Sequence, residues 1–351
     1  MTFIAKPKFH HPKLPVNALG LTRRDYEGSI STLCAGCGHD SISAAIVQAC
    51  AEMSLPPHIM AKMSGIGCSS KTPNYFLNKS HGFNSVHGRM PSIATGANLA
   101  NRELVYVGVS GDGDTASIGI GQFTHAVRRQ LNMMYMVENN GTYGLTKGQL
   151  SATTDIETRN KVGELNQFES IDLVSMAVML GASFVARSFS GDKEQLVPLI
   201  KAAISHRGFA LIDCISPCVT FNNHAGSTKS FDYVREHNAV LNRPDFVPHA
   251  EEITVSYKPG ETREVRLHDG DIVALHKVAK DYDPTDRAGA LDYLQRRQAE
   301  GKVVTGLVYV KPDAPDLHSI MQTVQRPLNQ LGEAELCPGP DPLEAINAAL
   351  R

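Results

Sequence analysis

The chain has 351 residues, 42% of them hydrophobic and 20% charged, with a formal net charge of −2 at pH 7. That length buries a large core in one big domain or two modest ones, and the near-neutral balance provides no global field to favour nucleic acid or an anionic membrane. No uncharged apolar run approaches membrane-spanning length, tryptophan is absent and aromatic residues make up 6%, against a nucleic-acid stacking surface.

The first residues carry no secretory apolar segment. Seven cysteines without an export signal point to metal, cluster or catalytic thiols rather than structural disulfides. The expectation is a cytoplasmic enzyme that binds neither nucleic acid nor membrane.

Residues 1–27 hold proline and histidine without periodicity and read as an N-terminal arm, packed on the body or a partner, or as a disordered tail. Next comes Cys34-Ala35-Gly36-Cys37-Gly38-His39, then a helix with Asp40 or Ser41 as N-cap and Ile42, Ala45, Ile46, Ala49 and Met53 on one face. Cys50 shares that face and reads as a core thiol. A C-x-x-C before a helix is either a thioredoxin-like dithiol or half of a four-cysteine metal site. The second thiol loop is Ser64-Gly65-Ile66-Gly67-Cys68-Ser69-Ser70-Lys71, whose glycines let backbone approach a ligand and whose serines can hydrogen-bond it. Val86-His87-Gly88-Arg89-Met90-Pro91 then leads into a Gly/Ala-rich helix over 93–100.

The centre of the chain is a β-α-β unit. Residues 104–109 (LVYVGV) predict a buried strand ending at the turn Gly111-Asp112-Gly113-Asp114. Residues 117–129 put Ile120, Phe123 and Val127 on one helical face, and 133–137 form a second strand ending at Asn139-Asn140-Gly141. Such a crossover makes the strands parallel, so Asp112 and Asn140 both sit just past carboxyl ends of one sheet, where open α/β sheets bind ligands. A carboxylate, an amide oxygen and a carbonyl in the Gly141-Thr142 loop are hard ligands for Mg²⁺, and N–H groups at the turn can cradle phosphate. A metal-diphosphate site is the reading; a plain Rossmann-like unit with a polar turn is the alternative. A Walker A loop is excluded by the order Thr146-Lys147-Gly148, and an EF-hand by Phe123 at the twelfth position from Asp112.

Further on, 171–179 and 193–206 read as helices and 182–187 and 209–215 as strands, the last ending at Ser216-Pro217-Cys218. This alternation predicts an α/β fold with a doubly wound parallel sheet. Beyond 220 the pattern changes: 253–257 and 263–267 flank Lys258-Pro259-Gly260-Glu261 as a hairpin, 307–310 is a strand, and the end around Pro338-Gly339-Pro340, with Cys337 as a bystander, is a surface tail.

Cys34, Cys37, Cys68 and Cys218 lie in loops and can converge on a [4Fe–4S] cluster or a structural Zn²⁺, between which spacing does not choose. Cys214 competes with Cys218 for the fourth place, but lies inside an apolar strand where a core thiol is expected.

The Gly-Asp-Gly turn, helix, strand and Asn-Asn resemble the diphosphate-binding motif of thiamine diphosphate enzymes. The set Cys34-Ala-Gly-Cys37-Gly, Gly65-Ile-Gly-Cys68-Ser-Ser-Lys71, His87-Gly-Arg89, Gly111-Asp112-Gly113-Asp114, Glu138-Asn-Asn-Gly-Thr-Tyr-Gly-Leu145-Thr-Lys-Gly-Gln149 and Ser216-Pro-Cys218 resembles, over about residues 25–300, the β subunits of 2-oxoacid:ferredoxin oxidoreductases, most closely the 2-oxoglutarate type. The resemblance implies a thiamine diphosphate, Mg²⁺ and iron–sulfur domain over 28–220, with 221–351 an extension packing on it and on a partner. It implies Mg²⁺ on Asp112, Asn140 and the Thr142 carbonyl; a cofactor lined by Ile66, Gly67, Cys68, Ser69, His87, Gly113, Asp114, Gly144 and Leu145; and one [4Fe–4S] cluster on Cys34, Cys37, Cys68 and Cys218. Lys71 and Leu145 match positions near the 2-oxoacid, although Lys71 reads equally as a solvated lysine.

The implied reaction is oxidative decarboxylation of a 2-oxoacid, 2-oxoglutarate foremost, to acyl-CoA (succinyl-CoA) and CO₂ with electrons passing to ferredoxin, or the reverse carboxylation. Coenzyme A is the co-substrate. An α subunit, in an αβ or α₂β₂ complex, is expected to supply the pyrimidine-binding domain and its glutamate, for which this chain has no counterpart. The rival readings are a β subunit for pyruvate or another 2-oxoacid, and a zinc-stabilised, non-catalytic subunit of the same fold.

Overall fold

The computed structural model describes residues 14–158, 163–219, 252–267, 272–337 and 339–350. The helices are α1 (Gly38–Glu52), α2 (Met90–Ala100), α3 (Ile120–Arg128), α4 (Leu173–Leu180), α5 (Lys193–Ser205), α6 (Arg287–Ala299), α7 (Leu317–Met321), α8 (Glu333–Leu336) and α9 (Asp341–Ala349). The strands are β1 (Met60–Ser64), β2 (His81–Asn84), β3 (Val105–Gly111), β4 (Met133–Asn139), β5 (Thr142–Tyr143), β6 (Gln149–Leu150), β7 (Phe184–Phe189), β8 (Phe209–Ile215), β9 (Thr262–Arg266), β10 (Ile272–Lys277) and β11 (Lys302–Val310).

Nine of these strands form one sheet in the order β2-β1-β3-β4-β8-β7-β11-β10-β9. The first six run parallel; β11 joins β7 antiparallel, and β10 runs parallel to β11. The expected α/β doubly wound parallel sheet is therefore present, and the chain after residue 251 extends the same sheet with three more strands.

Strand periodicity divides the core between the faces. On β4, Met133, Tyr135 and Val137 face a layer from α2, α3, α4 and α6 built on Ala94, Phe123, Val127, Val178 and Leu294. Met134 and Met136 face the opposite layer, Ile42, Ala45, Ile46 and Ala49 of α1 and Leu196 and Ile200 of α5. Tyr135 and Phe209 each meet the Phe123 ring edge-on, with centroids 5.6 and 5.8 Å away. Strands β1, β3, β4, β8 and β7 of the parallel set are thereby buried on both sides, β2 at the sheet edge is exposed, and the carboxyl ends of all six open at one edge.

Three local expectations are corrected. Helix α1 begins at Gly38 with Cys37 as N-cap, not Asp40 or Ser41; the Gly38 N–H reaches the Pro217 carbonyl at 3.4 Å, so a distant loop draws the helix start forward. The helix expected over 117–129 is split into a π-helical turn, Gly113–Ile118, and α3. The break is at Gly119, where a Cβ would stand 3.0 Å from the Gly88 Cα. Residues 253–257 do not pair with β9, whose antiparallel partner is β10; the Val255 N–H instead bonds the Gly191 carbonyl, and Ile253, Val255 and Tyr257 pack on a small core with Phe189 and Leu275. Among the described residues, α8 and α9 are exposed along their length, as a surface tail requires.

Candidate active site

The turn after β3 and the loop after β4 meet at the carboxyl edge. Asp112 is 1% exposed, and its carboxylate accepts bonds from the Asn140 N–H at 3.2 Å, from the Thr153 hydroxyl at 2.9 Å and from Ser151. Burial pushes this carboxyl up, and the Ser151, Asn140 and Thr153 donors pull it partly back. Asn140 Oδ1 turns to the Thr142 N–H at 3.2 Å, which shapes the loop around the Thr142 carbonyl. The structure thus brings Asp112, Asn140 and Thr142 together. Tyr143 closes the far side: its hydroxyl donates to the Gly113 carbonyl at 3.0 Å, and a Cβ on Gly113 would stand 2.5 Å from its ring.

Asp114 fastens loops together. Its Oδ1 accepts the Gly88 N–H at 2.7 Å and its Oδ2 the Ser110 hydroxyl at 2.8 Å, while a Cβ on Gly65 would stand 2.1 Å from Oδ2. Gly65 and Gly88 are glycines because backbone must pass this close. The same arrangement brings Ser69 to the Gly111 turn, where its buried Oγ has no hydrogen-bond partner. An orphaned hydroxyl beside a glycine turn and the Gly113–Ile118 N–H groups suits the oxygens of a diphosphate.

The thiol loops converge on the same edge. The Cys37 N–H bonds the Cys34 carbonyl at 3.0 Å, and a Cβ on Gly38 would stand 2.7 Å from Ser216 Oγ, so the loops of Cys37 and Cys218 lie against each other. Burial pushes the Cys37 thiol up, the His39 N–H pulls it back, and nearby Cys218, Glu138 and Cys68 push it up further. Cys68 is pushed up to about 11 by burial, with Cys218 and Cys34 adding and Lys71 opposing. Cys68 therefore stands within electrostatic reach of Cys34, Cys37 and Cys218, and Cys37 within reach of Cys218. Cys214 has burial, Asp213, Glu138 and Asp192 acting on it, none of them a thiol, and lies in the core beside α1 and α5. No three described His, Cys, Asp or Glu side chains stand close enough to share one metal ion. The four loop thiols offer the soft donors that a structural zinc or a [4Fe–4S] cluster would take.

Lys71 is half-buried in the turn Ser69–Asn74 directly after Cys68. Ile66 and Gly67 are half-buried in the loop before it, and Gly144 lies half-buried in the loop after β5. His87 and Leu145 are exposed, as are Phe83, Val86 and Ile118. Sequence reasoning missed Ser151 and Thr153, which cover Asp112, and Asn139, whose side chain joins Thr153 at 3.1 Å and Asp213 at 3.0 Å. The signal available was a pair of hydroxyl residues just after the glycine-bounded segment 145–149.

Residues 63–214 match the thiamine pyrophosphate enzyme, C-terminal TPP binding domain, so the sheet and its edge are those of the diphosphate-binding domain of a thiamine diphosphate enzyme. The chain is 35% identical over 291 residues to the 2-oxoacid:ferredoxin oxidoreductase subunit beta of Sulfolobus sp, a match covering 78% of this chain and 92% of that one. It is 40% identical over 191 residues to its counterpart from Saccharolobus solfataricus, covering 54% of this chain and 63% of that protein. It is 40% identical over 210 residues to the 2-oxoglutarate oxidoreductase subunit KorB of Mycobacterium tuberculosis, covering 59% and 54%. Among solved structures, 2-oxoglutarate:ferredoxin oxidoreductase from Magnetococcus marinus, with 2-oxoglutarate, coenzyme A and succinyl-CoA bound, superposes with a TM-score of 0.69 at 28% identity, covering 93% of this chain and 97% of that one. The chain belongs to the β subunits of the 2-oxoacid:ferredoxin oxidoreductases, and is an oxidoreductase subunit.

Proposed function

We propose that this chain, with an α subunit, oxidises a 2-oxoacid, 2-oxoglutarate foremost, to its coenzyme A ester and CO₂ and passes the electrons to ferredoxin. The observation that carries the reading is the meeting, on one sheet edge, of the Asp112 pocket with four loop thiols in a chain of this family. Asp112, Asn140 and the Thr142 carbonyl would hold Mg²⁺; Ser69, the 66–68 backbone, His87, Gly113, Gly144 and Leu145 would hold the diphosphate half of the cofactor, with Asp114 keeping their loops in place. Cys34, Cys37, Cys68 and Cys218 would hold one [4Fe–4S] cluster. Bound there, thiamine diphosphate supplies the electron sink for decarboxylation and the cluster a one-electron outlet.

The chain's own part is positioning. Burial of Asp112 would keep water from a bound metal and strengthen the carboxylate's hold once ionised. Lys71, beside Cys68, carries a positive charge toward the edge where a 2-oxoacid carboxylate would arrive. Exposed Val86 and Ile118, which lie on segments that meet where Gly88 touches Ile118 and Gly119, support a partner subunit seated there with the pyrimidine-binding half. No described helix is long and apolar enough to cross a membrane.

The test is to purify the chain anaerobically with its α subunit and measure iron, acid-labile sulfide and zinc. About four irons and four sulfides per chain, with 2-oxoacid- and coenzyme A-dependent reduction of ferredoxin, is the expected result. Zinc without sulfide would sink the electron-transfer reading, and full turnover by the chain alone would sink the need for a partner.

A further inference from the structure

Beneath the four thiols lies a second set of buried side chains, and each thiol-bearing loop contributes to it. His39, two residues after Cys37, places Nδ1 2.5 Å from Oγ of Ser216, two residues before Cys218. Thr72, four residues after Cys68, donates its hydroxyl to Glu138 Oε2 at 2.9 Å. The same oxygen lies 3.7 Å from His39 Nδ1. Glu138, Thr72 and Ser216 are 0% exposed and His39 is 1% exposed. Glu138 Oε1 has no hydrogen-bond partner. A buried, partly satisfied carboxyl is costly to keep, and an apolar side chain of similar size would pack there without that cost. Its position supplies the reason. Glu138 is on β4, directly before Asn139 and Asn140, so it is where the three thiol loops reach the strand that ends in the metal pocket.

We propose that Glu138 is the centre of a buried Thr72–Glu138–His39–Ser216 hub that holds the three thiol-bearing loops in fixed relation to one another and to the metal-binding end of β4. What the loops carry rests on the cluster reading above; the hub itself is a property of the chain. Glu138 is a positioning residue: it acts on the thiols through Thr72 and His39.

Amide hydrogen exchange on the full chain, and iron, sulfide and paramagnetic resonance on the assembled enzyme, test it together. Glu138→Leu is expected to speed exchange at least fivefold in 36–41, 68–75 and 214–218 while α6 stays at its wild-type rate. Ser216→Ala should speed the first and third segments alone, and Thr72→Val the second alone; these two decide the matter if Glu138→Leu loosens α6 as well. Glu138→Gln keeps the size and an acceptor for Thr72, and should stay within about twofold of wild type in all three segments. In the assembled enzyme it should keep iron, sulfide and the wild-type resonance line, where Glu138→Leu shifts the line or loses iron. Wild-type exchange in all three segments of Glu138→Leu, or a rise in one alone, overturns the hub. Wild-type enzyme lacking iron and sulfide would overturn the cluster reading instead, with the exchange pattern still judging the hub.

Discussion

The hydroxyls that cover Asp112 are open to a quantitative test. Thr153→Val keeps the side-chain shape and removes the donor 2.9 Å from Asp112 Oδ2; Ser151→Ala removes the other donor to the same oxygen. A hydrogen bond to a charged group contributes about 1.5–3 kcal/mol, and partners of a metal-binding carboxylate typically set about 10- to 100-fold in metal affinity. Each single variant should therefore weaken Mg²⁺ capture roughly tenfold or more, at saturating thiamine diphosphate in the assembled enzyme. The double variant should fall short of the product, because both hydroxyls serve one oxygen. There is also a pH signature. Burial pushes the Asp112 carboxyl up and these donors pull it down, so their loss raises it further. Metal binding requires the ionised form, hence the pH midpoint of Mg²⁺ capture moves upward. Calorimetric Mg²⁺ titrations across pH measure both effects. A Thr153→Val midpoint within twofold of wild type, with an unmoved pH profile, refutes the assignment of Asp112 as the metal carboxylate held by this strap.

Three more outcomes are expected. Cys218→Ala should abolish iron and sulfide binding, whereas Cys214→Ala should keep both and lose about 1 kcal/mol of stability as an ordinary core substitution; metal analysis with urea unfolding separates them, and the reverse pattern would exchange their roles. Gly113→Ala sets a Cβ 2.5 Å from the Tyr143 ring, an overpacking of about 1–3 kcal/mol, so thiamine diphosphate affinity should fall by at least tenfold; unaltered affinity by fluorescence titration would show that this turn does not approach the cofactor. Arg187 is half-buried and bonds the buried Asp213 at 2.8 Å as well as the half-buried Asp172, so Arg187→Met should cost about 3 kcal/mol by leaving the buried Asp213 carboxylate uncompensated. Burial pushes the Asp172 carboxyl up, but Arg187, Ser175 and the Val174 N–H outweigh it and hold it low. With a folded value below the unfolded one, near 4, this stabilisation is complete above about pH 4 and is lost as pH falls through the folded value. Acid unfolding should show that loss in the wild type and not in Arg187→Met; identical acid limbs would contradict it.

Local chemistry and short-range pattern determined much of this protein. Apolar runs at 104–109, 133–137 and 209–215 become β3, β4 and β8 because a parallel strand buried on both faces must be apolar throughout. A β-α-β crossover makes its two strands parallel, so Asp112 and Asn140 had to share one sheet edge. Cys214 was readable as a core thiol from its place inside an apolar strand, and its burial beside α1 and α5 agrees. The tertiary structure decided what local pattern could not. Cys37 caps α1 because the Pro217 carbonyl meets the Gly38 N–H, an acceptor 179 residues away in the chain that outweighs the usual preference for Asp40 or Ser41. Ser151 and Thr153 reach Asp112 across 39 and 41 residues, and His39 reaches Ser216 across 177. Strand 262–266 chose β10 over its nearer neighbour because 253–257 packs apolar side chains against Phe189. Periodicity and capping are written within a few residues of the backbone that obeys them. A hydrogen bond between buried side chains depends on where whole strands come to rest, and leaves no trace at short range.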